Sequence, residues 1–166
     1  MIAVLLAILA LWIASGFGRT LLSRIKGWEP NPAERFAYSG ALGLGVAAYG
    51  VYLLGLLGLL GKVQIAVWWL VLGVVGAKGM RESLSDAVSG VRNLLKTENR
   101  NEKIVGITIW VVLILLGLVT MIAAFLAPTG MQWDAVAYHL ADPKLFLQQG
   151  RVGTLPTEHH SNFPFI

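Results

Sequence analysis

The chain has 166 residues, 56% hydrophobic and only 13% charged, with a mean hydropathy of +0.69. Soluble domains carry about 25% charged residues, so a water-soluble monomer and a disordered chain are both excluded. The absence of Cys removes a disulfide scaffold, thiolate catalysis and Cys-based metal sites. The net charge of +4, from 13 Lys and Arg against 9 Asp and Glu, reads in so apolar a chain as membrane topology rather than nucleic-acid binding. What remains is an all-α, multi-spanning membrane protein.

A bilayer span needs about 20 apolar residues, so this length admits only a handful. Four apolar stretches stand out: residues 2–17, two that form one block from Phe36 to Ala77 interrupted only by Lys62, and Ile104 to Leu126. The block is twice the length of one span. Its turn is predicted in Gly55–Lys62, which holds three Gly and the only charge. The predicted spans are therefore 2–17, 36–55, 62–78 and 104–126. They make a four-span region over 1–127, with a loop at 79–103 and an outer segment at 128–166.

The charges orient these spans. Arg19, Arg24, Lys26 and Arg35 separate spans one and two; Lys78, Arg81, Arg92, Lys96, Arg100 and Lys103 separate spans three and four. The hairpin turn holds Lys62 alone, and the segment after span four holds Lys144 and Arg151. Alternate loops thus carry ten basic residues on one side and three on the other. Basic loops are cytoplasmic, so the N-terminus and residues 128–166 are expected outside. The first span has no basic region before it and reads as an anchor rather than a signal peptide.

Within the spans, Gly40, Gly43, Ala47 and Gly50 recur at helical spacing, and Gly73 and Ala77 are four apart. Such small-residue faces let helices approach closely in lipid. In the 79–103 loop, Met80, Leu84, Val88, Val91 and Leu95 form a stripe with Arg81, Ser85 and Arg92 off it. This predicts an amphipathic helix able to rest on the anionic inner leaflet, read as a connector stabilised by its surface, with a regulatory docking helix as the alternative. No ionisable residue interrupts the spans apart from the turn, which argues against an ion pathway through them.

Chemistry is expected after Pro128, in two short helices at the outer membrane surface. Asp134 is placed to cap the first. Asp142 is placed to cap the second, with Pro143 at its first position and Gly150 beyond its end. Asp134 has two readings: a helix cap, or a carboxylate at the mouth of a membrane cavity acting as general base. Tyr138, four residues on, shares its face, and His139 points away. Lys144 and Arg151 read either as phosphate contacts or as cations snorkelling at the interface. Glu158-His159-His160 lacks a paired-ligand motif, so no metal site is assigned there.

The stretch Trp133-Asp134-Ala135-Val136-Ala137-Tyr138-His139-Leu140 is followed by Pro143-Lys144, Gly150-Arg151, Leu155-Pro156 and His160-Ser161-Asn162-Phe163-Pro164. It resembles the first extracytoplasmic loop of bacterial GT-C class membrane glycosyltransferases, relatives of the protein mannosyltransferases and aminoarabinose-lipid A transferases. The resemblance covers roughly the last 35 residues. It implies a multi-pass enzyme of the bacterial inner membrane that takes a sugar from a polyprenyl-phosphate donor. The acceptor is a lipid, glycan or protein, membrane lipids are partners, and nucleic acid is not. By the same resemblance Asp134 is the catalytic base, while Lys144 or Arg151 meets the leaving phosphate. Tyr138, His139 and His160 contact sugar or acceptor, and a divalent metal stays open. Ala135 stands where many members carry a second acidic residue, and the loop follows the fourth span rather than the first. The chain is expected to be the front portion of a larger enzyme, inactive alone. A non-enzymatic four-span scaffold and a transporter fragment are the alternatives.

Overall fold

The computed structural model describes residues 2–27, 29–125, 141–153 and 155. Five helices follow in chain order: α1 (Ile2–Leu22), α2 (Pro32–Leu56), α3 (Lys62–Lys96), α4 (Arg100–Phe125) and α5 (Ala141–Gln149). The described residues contain no strand. Helices α1 to α4 are each long and apolar enough to cross a membrane. Large apolar side chains such as Leu6, Val74 and Val119 are exposed along them, as suits lipid contact. Contacts divide the chain into two units, Met1–Gly90 with Leu145–Thr154 and Val91–Lys144 with Leu155–Ile166.

Local chemistry sets the helix ends. Asn31 caps α2: its side chain accepts from the Glu34 N–H at 3.0 Å, and its own N–H donates to the Glu34 carboxylate at 3.1 Å, with Pro32 following as the first helical residue. The other end of α2 closes in the Gly-rich turn predicted for it. Gly58 has φ +73°, the Leu59 N–H donates to the Leu54 carbonyl at 2.8 Å, and the Gly58 N–H donates to the Gly55 carbonyl at 3.2 Å. These are the two bonds of a Schellman cap, whose left-handed residue is cheapest as Gly. Asn99 caps α4 differently, its side chain accepting from the Asn101 N–H at 3.0 Å and donating to the Glu102 carboxylate at 2.9 Å.

In the first unit, α1 packs against α2 and α3 through backbone rather than through large side chains. A methyl group added to Gly43 would collide with the Ala14 backbone, and one on Gly18 with the Ser39 carbonyl. On the α3 side, the same addition to Gly76 would lie 2.6 Å from the Phe17 nitrogen, and on Gly79 it would strike the Gly16 carbonyl. The buried positions of α3 are Leu72, Gly76, Gly79, Ser83, Asp86 and Gly90. They alternate in steps of four and three, the spacing of a left-handed coiled-coil seam. Two indole N–H groups fasten the bundle further: Trp12 donates to the Met80 carbonyl at 3.1 Å and Trp68 to the Ala47 carbonyl at 3.2 Å.

The structure redraws three local expectations. The third span and the amphipathic segment form one helix of 35 residues, and Gly79 at their junction is helical and packed against Gly16 of α1. The small-residue faces are Ser39, Gly43 and Ala47 on α2 and Gly76 and Gly79 on α3; Gly73 is only half-buried and Ala77 is exposed. Leu84, Val88, Val91 and Leu95 lie exposed on α3, and its small and polar residues turn inward. In the second unit, Gly106 of α4 abuts Leu94 of α3, and the large apolar side chains described on α4 are exposed.

The seam predicts a sharp contrast between glycines. Gly43→Val is expected to destabilise the folded protein in detergent by about 3 kcal/mol, the upper range for overpacking, because backbone cannot give way as a side chain can. Gly45→Ala, at a position with nothing within 4 Å, is expected to change stability by less than about 0.5 kcal/mol. Equilibrium unfolding of both variants checks this.

Candidate functional site

Asp134, Tyr138, His139 and His160 lie outside the described residues. Lys144 is exposed on α5, and Arg151 is exposed just beyond its end. Neither forms an ion pair among the described residues. The second of the two short helices exists as α5, and Gly150 ends it as expected: it has φ +71°, and the Arg151 N–H donates to the Phe146 carbonyl at 3.1 Å. The expected Asp142 cap does not form. Ala141 and Asp142 are already helical, and the buried Asp142 carboxylate has no hydrogen-bond partner among the described residues.

The segment after α5 is tied to the α2–α3 hairpin. The Leu60 N–H donates to the Gly150 carbonyl at 2.8 Å, and the Val152 N–H donates to the Gly55 carbonyl at 3.0 Å. The Val152 side chain fills the space left by the missing Cβ of Gly55, where an added methyl would lie 2.5 Å from Val152 Cγ2. These bonds satisfy backbone groups that the tight turn leaves open. They place Gly150–Val152 at the hairpin end of the bundle. An apolar groove of about 430 Å³ runs along α2, lined by Leu42, Val46, Tyr49 and Leu53 and closed by Trp68. Its lining suits a lipid chain.

A second polar cluster, unforeseen in the sequence, joins the opposite ends of the same helices. Asp86 of α3 is 6% exposed. The Arg19 Nε of α1 donates to its Oδ2 at 2.9 Å, and the Arg35 Nη2 and Nε of α2 donate to its Oδ1 at 2.8 and 3.1 Å. Arg35 Nη1 also donates to the Pro30 carbonyl at 3.1 Å. Glu82 adds looser pairs, 3.6 Å from Arg19 and 3.7 Å from Lys78. One carboxylate therefore receives guanidinium donors from two other helices, with both its oxygens satisfied. Charge-assisted bonds of this length are strong where water is scarce. Ser39 and Ser83, also buried, have hydroxyls without a partner among the described residues.

The clamp's signal was available in the helix register. Asp86 falls four before Gly90 and three after Ser83, in phase with Gly76 and Gly79, so it enters the seam once the partner helix selects that face of α3. No group of three or more His, Asp or Glu suited to a metal occurs among the described residues.

Removing the clamp leaves two guanidiniums without their partner. Asp86→Ala is expected to cost about 2–3 kcal/mol, below the 3–5 of a fully enclosed pair because Arg19 and Arg35 keep 17% and 31% of their side-chain exposure. Glu82→Gln, at a longer and more open pair, is expected to cost less than about 1 kcal/mol. Thermal and denaturant unfolding in detergent measures both. Comparison with family models, curated proteins and solved structures finds no match to this chain.

Proposed function

We propose that the chain is part of a membrane glycosyltransferase that moves a sugar from a polyprenyl-phosphate carrier to an extracytoplasmic lipid, glycan or protein acceptor. The reading rests on the Trp133–Leu140 stretch and its downstream companions. The observation that carries it furthest is the tie between Gly150–Val152 and the hairpin turn. Residues inside the resembling segment are thereby held at the end of the bundle opposite the arginine clamp, which is the low-charge, outward end by the distribution of Lys and Arg. The apolar groove beside Trp68 supports the reading further, since the carrier is an isoprenoid chain.

In the proposed reaction Asp134 accepts the proton of the acceptor hydroxyl as its oxygen attacks the anomeric carbon. The bond between that carbon and the phosphate oxygen breaks, its electrons leave with the polyprenyl phosphate, and the configuration inverts. A cation near the leaving oxygen, Lys144 or Arg151, stabilises the charge that develops there. Tyr138, His139 and His160 contact sugar or acceptor. The protein is placed in a bacterial inner membrane with its N-terminus and residues 128–166 outside.

Asp134→Asn in the full-length protein is expected to lower sugar transfer in reconstituted vesicles by about 10²–10⁴-fold, the contribution of a positioned general base. Unchanged transfer from radiolabelled polyprenyl-phosphate sugar would show that Asp134 does no more than cap a helix.

A further inference from the structure

Four acidic residues of the first unit, Glu29, Glu34, Glu82 and Asp86, all belong to the clamp end. Its hairpin end has none, yet it carries two cations. Lys62 opens α3 two residues after Leu60, and Arg151 stands between Gly150 and Val152. The bonds from Leu60 to Gly150 and from Val152 to Gly55 pin the backbone on both sides of Arg151 to the turn that leads into Lys62. Both side chains are exposed and neither is paired among the described residues. The fold therefore brings two cations, unpaired among the described residues, to one rim, and it does so through backbone bonds rather than through any attraction between them.

The surroundings fix the depth of that rim. Leu57 in the turn is 70% exposed and Val63, just after Lys62, is 71% exposed. Apolar side chains left bare on both sides of a lysine in a bilayer protein lie against acyl chains, and the ammonium rises to the phosphate layer. A free anion in water has no reason to meet them there; a lipid phosphate does.

We propose that Lys62 and Arg151 form a binding site for the phosphomonoester headgroup of a membrane lipid. A phosphomonoester carries about −1.5 to −2 charges at neutral pH, matching two cations, whereas a phosphodiester carries one negative charge. Arg151 offers a planar fork for two phosphate oxygens and Lys62 a point charge. The site shares Arg151 with the proposed transferase but not Asp134, so Asp134→Asn leaves lipid binding intact while Lys62→Gln weakens it, and the two readings fail separately.

The test titrates the detergent-solubilised full-length protein with dioleoyl phosphatidate and counts bound lipid by native mass spectrometry, with phosphatidylglycerol and inorganic phosphate as competitors. Wild type is expected to favour phosphatidate over phosphatidylglycerol by about fivefold or more. Lys62→Gln and Arg151→Gln are each expected to weaken phosphatidate binding about five- to tenfold, and together to erase the preference. Lys62→Arg keeps the charge and is expected to keep binding, which separates loss of the site from loss of the fold. Gly55→Val alters neither cation but displaces Val152 from the turn, and is expected to weaken binding as much as either single change. Wild-type binding by the double variant, or full displacement of the lipid by millimolar inorganic phosphate, overturns the proposal.

Discussion

Everything in the first unit follows from how closely α1 approaches its two neighbours. In lipid there is no hydrophobic gain from hiding leucine, because acyl chains are as apolar as the side chain. Association must come from dispersion between closely fitted surfaces and from polar groups that prefer each other to hydrocarbon. Gly43 against Ala14, Gly18 against Ser39 and Gly79 against Gly16 supply the first. The Asp86 clamp supplies the second. The two are linked: only a seam of small residues brings α1 and α2 near enough to α3 for Arg19 and Arg35 to reach one carboxylate.

This inverts the pattern familiar from water. On α3 most of the leucines and valines point outward, while Gly76, Gly79, Ser83, Asp86 and Gly90 join Leu72 on the inward face. The inversion explains what could be read in advance and what could not. Span number and the hairpin turn followed from hydropathy and from Lys62 among three glycines, since both depend on composition alone. The register of the seam did not. Small residues fall on several faces of α3, and the choice of Gly76 and Gly79 over Gly73 and Ala77 is made by the partner helix. The stripe from Met80 to Leu95 was legible as a stripe, but a rule learned from soluble proteins assigned it to a separate surface helix.

The candidate site divides in the same way. Gly150 announced the end of α5 because a left-handed cap favours glycine. The cap role given to Asp142 failed, since a local rule takes no account of where a side chain is drawn by burial. Nothing local to Gly55 or Val152 announced the tie between them; it pairs residues nearly a hundred positions apart. That tie makes the α2–α3 hairpin a foundation for the segment that carries the proposed chemistry.

The bundle has two chemically distinct ends, a clamped basic end and a hairpin end that holds the segment after α5, and the proposed orientation puts the first in the cytoplasm and the second outside. The chain contains no Cys, so single cysteines report cleanly on sidedness. Leu57→Cys, Arg151→Cys, Arg24→Cys and Arg92→Cys each place a thiol at an exposed position, to be labelled with a membrane-impermeant maleimide in intact spheroplasts. The account predicts labelling at positions 57 and 151 from outside, and at 24 and 92 only after the membrane is opened. Labelling of 57 and 151 from opposite sides, or of 24 and 92 in intact spheroplasts, would contradict it.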